Sequence, residues 1–189
     1  MSGAIRLALG LIMATGLLAP SAQARPTVQA QRGAVDALLR GAHPHITAER
    51  LRQIGPDVES ILRQAATAPD RGAQPAVRAL ALLGHFRSAP TAALLRGTLR
   101  DAKLPVRLRR VAGSALLRSQ GLKALKDARA MLGHEQVFLR EAAAIALGSL
   151  PDPRATKMLR ERSGLEPEAF VRDAIQTALG RHMSAAKAR

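Results

Sequence analysis

Arg109, Arg140 and Arg172 recur at intervals of 31 and 32 residues. A guanidinium stays charged and presents a rigid fork of donors, so such a row can hold phosphates or carboxylates. The same row can also be internal, each arginine pairing an acid at a turn and tying one unit to the next. An acidic residue stands five or six positions before an arginine in each unit: Asp101 before Arg107, Glu135 before Arg140, Glu166 before Arg172. Arg107, Arg109, Arg110 and Arg118 form the densest basic cluster on one stretch. Lys123, Lys126, Arg129, Lys157, Arg160 and Arg162 add a second group on neighbouring segments.

His134-Glu135 is the dipeptide with the most metal-like character. A metal-activating site needs about three or four protein ligands, and no second His-Glu pair precedes the equivalent segments at Val106 and Phe170. His43-Pro44-His45 sets two imidazoles together with no Cys and no third ligand nearby, which reads as a loop. His85, His134 and His182 read as helix-end residues, where an imidazole suits the C-terminal dipole or a polar turn. The chain has no Gly-x-Ser-x-Gly elbow, no phosphate loop and no paired-carboxylate site. The expectation is therefore a non-catalytic protein with no metal and no cofactor.

The formal charge is +15, which points to an acidic partner or surface unless arginine is simply the residue that keeps this chain soluble. There is no Trp, no Tyr and no Cys, and the aromatics are Phe86, Phe138 and Phe170. So few rings leave little to stack on bases, which counts against a nucleic-acid partner, and equally against stacking on sugars. Protein partners and anionic surfaces such as membranes or lipopolysaccharide phosphates remain compatible. The lack of Cys removes any disulfide framework.

The first residues form a leader. Arg6 gives a thin positive start, Leu7 to Ala19 is an apolar run, Pro20 breaks it, and Ala22-Gln23-Ala24 is a small-x-small cleavage site. Residues 1–24 thus read as a signal peptide, too short for a membrane anchor, which wants about 20 apolar residues. A bacterial periplasmic or secreted protein is expected, with no transmembrane segment in the mature chain. Export also takes the protein away from the nucleoid.

Positioning such residues falls to helices. Ala, Leu and Arg dominate and β-branched residues are sparse, so the chain should be all-α. Residues 25–55 read as a loose lead-in through Gln31 followed by a helical hairpin, Gly33 to Arg40 and Ala48 to Ile54. From Pro56 onward, breaks at proline and glycine separate helices at Asp57–Ala68, Gln74–Phe86, Pro90–Asp101, Val106–Ser119, Leu122–Leu132, Glu135–Leu150, Arg154–Arg162 and Glu168–His182. Residues 183–189 read as a frayed basic tail.

The segment Glu135–Leu150 organises the rest. Leu139, Ala143, Ala146 and Leu150 share one helical face, and Phe138, Ala142 and Ile145 make a second apolar face beside it. A helix apolar over most of its circumference must be covered on more than one side. Leu139-Arg140-Glu141-Ala142 with Ala146-Leu147-Gly148 returns 32 residues later as Val171-Arg172-Asp173-Ala174 with Ala178-Leu179-Gly180. Leu108-Arg109-Arg110-Val111 with Ala115-Leu116-Leu117 precedes it by 31. Two helices per such interval are the mark of a stacked helical array, in which no unit can bury both faces alone. Gln176 and Thr177 stand where Ala144 and Ile145 stand one unit earlier, so the last helix should be the end cap, with Ala144 and Ile145 facing it.

Leu147-Gly148 with Asp152-Pro153-Arg154-Ala155, then Phe170-Val171-Arg172 with Ala178-Leu179-Gly180, resembles the HEAT-repeat superfamily, and in particular the short PBS-lyase-like units of bacteria. The resemblance spans residues 56–182. It implies a right-handed α-α superhelix, a HEAT-like α-solenoid of about four helix pairs after the N-terminal hairpin. It also implies that Arg109, Arg140 and Arg172 are structural rungs, the use such families commonly make of arginine here. Deoxyhypusine hydroxylase, built of similar repeats, holds a di-iron centre with several His-Glu pairs at this turn, and the single pair here falls short of that set. HEAT-like alkylpurine DNA glycosylases bind DNA on a basic face, and bilin lyases gave the short units their name. Neither activity has residue-level support in this chain. The reading that follows is an exported interaction module.

Overall fold

The computed structural model describes residues 25–41, 46–68 and 73–188. The leader, the histidines of the 43–45 turn and the 69–72 break lie outside the described residues. The chain runs through α1 (Val28–Arg40), α2 (Ala48–Ile54), α3 (Val58–Thr67), α4 (Ala73–Leu83), α5 (Ala89–Arg100), α6 (Val106–Gln120), a 3-10 turn (Gly121–Ala124), α7 (Leu125–Leu132), α8 (Val137–Leu147), α9 (Pro153–Ser163) and α10 (Ala169–Lys187). No strand occurs among the described residues.

Local chemistry places the helix starts. Thr27, Thr47, Ser88 and Asp152 are N-caps whose side-chain oxygens accept amide hydrogens of the first turn. The Asp152-Pro153-Arg154 motif is such a cap: the Asp152 carboxylate accepts from the Arg154 amide at 2.9 Å and from its guanidinium at 3.0 Å. Those bonds hold the Asp152 carboxyl below its ordinary range.

The helices pair as α3–α4, α5–α6, α7–α8 and α9–α10. The second helices α4, α6, α8 and α10 then pack side by side in one layer, and α3, α5, α7 and α9 lie on the other side, each on its own partner. One continuous core runs between the layers, with Leu83, Leu95, Leu116, Leu139, Leu147 and Leu159 fully buried. Each such leucine contributes about 2 kcal/mol by leaving water. The architecture is the expected HEAT-like helical solenoid.

Successive second helices approach closely at two of their joints. A Cβ built on Gly148 would lie 2.9 Å from the Cβ of Ala178 and 3.0 Å from its Cα, and one on Gly84 would lie 3.2 Å from the Cα of Ala115. At the joint between them the matching position is Leu117, which is buried.

Four expectations need correction. Gln31 is not a loose lead-in, because α1 begins at Val28 and Gln31 is buried. Its amide donates to the Pro26 carbonyl and to Asp57, and its oxygen accepts from the Asp57 amide at 2.8 Å. The side chain fills the space over Gly55, whose φ of 145° and lack of Cβ are both needed there. The N-terminal helices do not form a simple hairpin either: α1 packs chiefly on α3 and α4, since α2 is short and buries only Leu51. The last helix does not end at His182 but continues to Lys187. His182 is therefore mid-helix and buried, its Nε2 donating to the Leu147 carbonyl and its Nδ1 against the Thr156 hydroxyl. Finally, Ala144 is fully buried as expected, whereas Ile145 is 49% exposed and Phe138 50% exposed. Both project from the open side of the second-helix layer.

Candidate interaction site

The three repeating arginines have different surroundings. Arg140 is buried. Its Nε and Nη2 donate to Glu166 at 2.9 and 2.8 Å, a two-pronged bond, and its Nη1 donates to the carbonyls of His134 and Glu135. Glu166 lies in the turn of the following unit, so this arginine joins two units. Arg162 donates to the same carboxylate at 3.0 and 2.8 Å. Burial pushes the Glu166 carboxyl up, but bonds from Arg140, Arg162 and the Glu168 amide outweigh it and leave the group at about 2. The same partner raises the Arg140 guanidinium above its ordinary value.

Arg172 repeats the carbonyl bonds of Arg140, donating to Glu166 and Pro167 carbonyls. It sits in the last unit described and is exposed. Arg109 is buried, donates from Nε to the Leu99 carbonyl at the end of α5, and places Nη2 3.0 Å from Nε2 of His134. His134 is the residue 32 positions before Glu166, so both joints use the same place in the turn. Of the expected pairs, Asp101 with Arg107, Glu135 with Arg140 and Glu166 with Arg172, none forms through the carboxylate among the described residues: Arg107 donates to Gln74, and from their expected acids Arg140 and Arg172 take only the main-chain carbonyls, of Glu135 and Glu166 respectively. For Arg109 and Arg140 the side-chain partner comes from one unit ahead.

His134 is a poor substitute for a carboxylate. The Gln136 amide donates to its Nδ1 at 2.9 Å while Arg109 approaches its Nε2. A neutral imidazole accepts at only one nitrogen, so one of these contacts sets two donors face to face. Burial and then Arg109 lower the His134 pKa. A depressed pKa means that the neutral form stabilises the fold at pH above the free value of 6.5, and that this stability is lost as pH falls through the folded value. His134→Glu should therefore raise stability at pH 7 by about 1–2 kcal/mol, through a charged pair with Arg109. Urea titrations at pH 7 and pH 5 would show it: the variant should lose less on acidification than the parent. Greater loss in the variant would contradict the assignment. His85, lowered by burial and by Arg118, adds its own fall in the same range to both proteins.

A second shared carboxylate lies in the first-helix layer. Asp127 of α7 accepts from Arg96 Nε at 3.0 Å and from Arg100 Nη2 at 2.9 Å, joining α5 to α7. Neither Asp127 nor Gln31 stands out in the sequence, although Asp127 follows Arg96 by 31 residues, the repeat interval. On the same layer Arg129 and Lys157 lie 3.9 Å from Glu161, while Lys123, Lys126 and Arg160 are exposed.

The remaining arginines of the basic cluster open onto the second-helix face. Arg107 is exposed and donates to Gln74; Arg110 lies 3.7 Å from Glu141; Arg118 is exposed, with only a long contact of 3.5 Å to the Ala81 carbonyl. Arg181, not singled out from sequence, joins them from α10. Phe138 and Phe170 meet on this face with ring centroids 6.2 Å apart, Phe170 being 41% exposed. Two grooves cross the face. One, of about 310 Å³, is lined by Ala81, Val111, Ser114, Ala115, Ala142 and Ile145 with Arg110, Arg118 and Glu141. The other, of about 280 Å³, is lined by Ile145, Ala174, Thr177, Ala178 and Arg181.

Among the described residues no group of three His, Asp or Glu side chains could hold a metal ion, and no helix is long and apolar enough to cross a membrane. A stack of helix pairs with joints of this kind defines an all-α helical-repeat protein. Residues 91–180, from α5 through most of α10, match the family model for HEAT repeats. Repeats of this family generally mediate protein interactions. No curated protein matches the chain.

Proposed function

We propose that this protein is a non-catalytic, exported HEAT-repeat module that binds a protein partner across its second-helix face. The observation that carries this reading is the cluster of exposed Phe138, Ile145 and Phe170 beside arginines on one continuous layer. Large apolar side chains gathered on an exposed face mark interaction surfaces more often than chance exposure does. HEAT-like Arg109 and Arg140 are inward-facing and spend their donors on the joints, so they leave partner contact to Arg107, Arg110 and Arg118. We read the units as the short PBS-lyase-like type, from the capped Asp152-Pro153-Arg154 turn. The leader at residues 1–24 supports a periplasmic or secreted location.

A photo-crosslinking residue placed at Ile145 should yield a discrete protein adduct in cells, and one placed at Arg160 on the first-helix layer should not. Adducts only from Arg160 would overturn the choice of face. Fusion of the leader to a reporter active only after export should give activity; a cytoplasmic result would revive the nucleic-acid alternative.

A further inference from the structure

The two grooves on the second-helix face share a design. Their floors are small side chains, Ala81, Ser114, Ala115 and Ala142 in one and Ala174, Thr177 and Ala178 in the other. Ile145 is a wall of both. Each groove has an arginine from the same row of the repeat, Arg118 of α6 in the first and Arg181 of α10 in the second. The unit between them has Ser149 in that row, so neither arginine has a like charge directly beside it.

The charges on this face do not cancel. Glu141 is engaged by Arg110. Among the described residues Arg107, Arg118 and Arg181 have no carboxylate partner, and Asp173 is the other acid of the face. Arginine over small-residue hollows fits a ligand that brings both carboxylates and apolar groups.

Building on the reading above, we infer that the second-helix face takes an acidic peptide segment, its carboxylates on Arg118 and Arg181 and its apolar side chains in the hollows on either side of Ile145. Neighbouring helix axes lie about 8–10 Å apart, so the two arginines stand roughly 20 Å apart across α8. An extended chain covers that span in about six residues at 3.3 Å each. The segment therefore carries two acidic positions about six residues apart, with apolar residues of Val or Ile size between them. A flat anionic bilayer cannot fill hollows of this kind; it would meet the protruding Lys123, Lys126 and Arg160 of the opposite layer instead.

Fluorescence anisotropy with three labelled peptides tests this on the mature protein. One, Glu-Ser-Val-Ser-Val-Ser-Glu, sets two Glu six residues apart with both Val on the same side of the extended chain, one has Lys in place of both Glu, and one is all Glu. The Glu-Val peptide should bind most tightly, and added salt should weaken it. Arg118→Glu with Arg181→Glu should weaken it by about tenfold or more. Ser114→Phe, which fills a hollow and leaves the charge intact, should weaken the Glu-Val peptide and leave the all-Glu peptide unchanged. Circular dichroism melting would show whether each variant stays folded, and Lys123→Ser with Lys126→Ser serves as a folded control that should bind normally. Equal binding of the all-Glu peptide, binding of the Lys-Val peptide, or indifference to the Arg118 and Arg181 changes would overturn the inference. So would capture by phosphatidylglycerol vesicles that depends on Arg118. A crosslinked partner at Ile145 together with any of these results would leave the protein-binding reading standing and remove only the acidic-segment assignment.

Discussion

Glu166→Gln should lower stability at pH 7 by about 3 kcal/mol, because it leaves buried Arg140 without its counter-charge. For a chain of this size that is a fall of roughly 6–12 °C in melting temperature. Gln keeps the shape and one acceptor oxygen but turns an amide donor toward a guanidinium. The effect should also depend on pH. The folded carboxyl sits at about 2 against a free value of 4.5, so its contribution is fully present above 4.5 and disappears as pH falls toward 2. The gap between parent and variant should be widest near neutrality and close below about pH 3. Denaturant titrations at several pH values would measure it, and a gap that stays constant down to pH 2.5 would remove Glu166 from its role. Arg140→Gln should cost a similar amount. Arg172→Gln should cost much less, because Arg172 is exposed and bonds only to carbonyls of its own turn.

Gly148→Ala should destabilise by about 1–3 kcal/mol, against the ordinary direction of such a change. The backbone at Gly148 has φ −59° and ψ −17°, which any residue adopts, so helix propensity alone would favour Ala. The obstacle is the approach of α10: the new methyl would meet the Cα of Ala178, and a backbone atom cannot move aside as a side-chain tip does. Gly97→Ala is the matched control. Gly97 lies in the interior of α5 with nothing within 4 Å of an added Cβ, so Ala there should stabilise by about 0.5–1 kcal/mol. Opposite signs for the two changes would establish that the second helices set the spacing of the array. Stabilisation by both would mean that α8 and α10 have slack between them.

Much of the fold is legible in the sequence, because its signals are local and repeated. Proline and glycine breaks, helix caps and a 3.6-residue periodicity locate α3 to α10 to within a few residues, and the 31- and 32-residue intervals give the stacking. What escapes is what depends on neighbours in space. Gln31 is polar and carries no periodic signal, yet it is buried because Asp57 and Pro26 close around its amide. Ile145 is apolar and looks like core, yet none of the described helices covers the open side of the second-helix layer. The sequence spacing points to Glu135, five residues before Arg140, as its acid, but Glu135 gives Arg140 only its main-chain carbonyl. Glu166, 26 residues ahead, takes that place because stacking brings the next turn over α8. His182 reads as a terminus, since the alanine-rich stretch after it gives no apolar stripe to announce that α10 goes on.

The carboxylates of Asp127 and Glu166 each serve two arginines. Each joint therefore holds a surplus positive charge that belongs to the architecture and not to its coating. Part of the high isoelectric point of this chain is structural: trimming lysines from its exterior would leave a cationic skeleton, assembled at the seams where one unit meets the next.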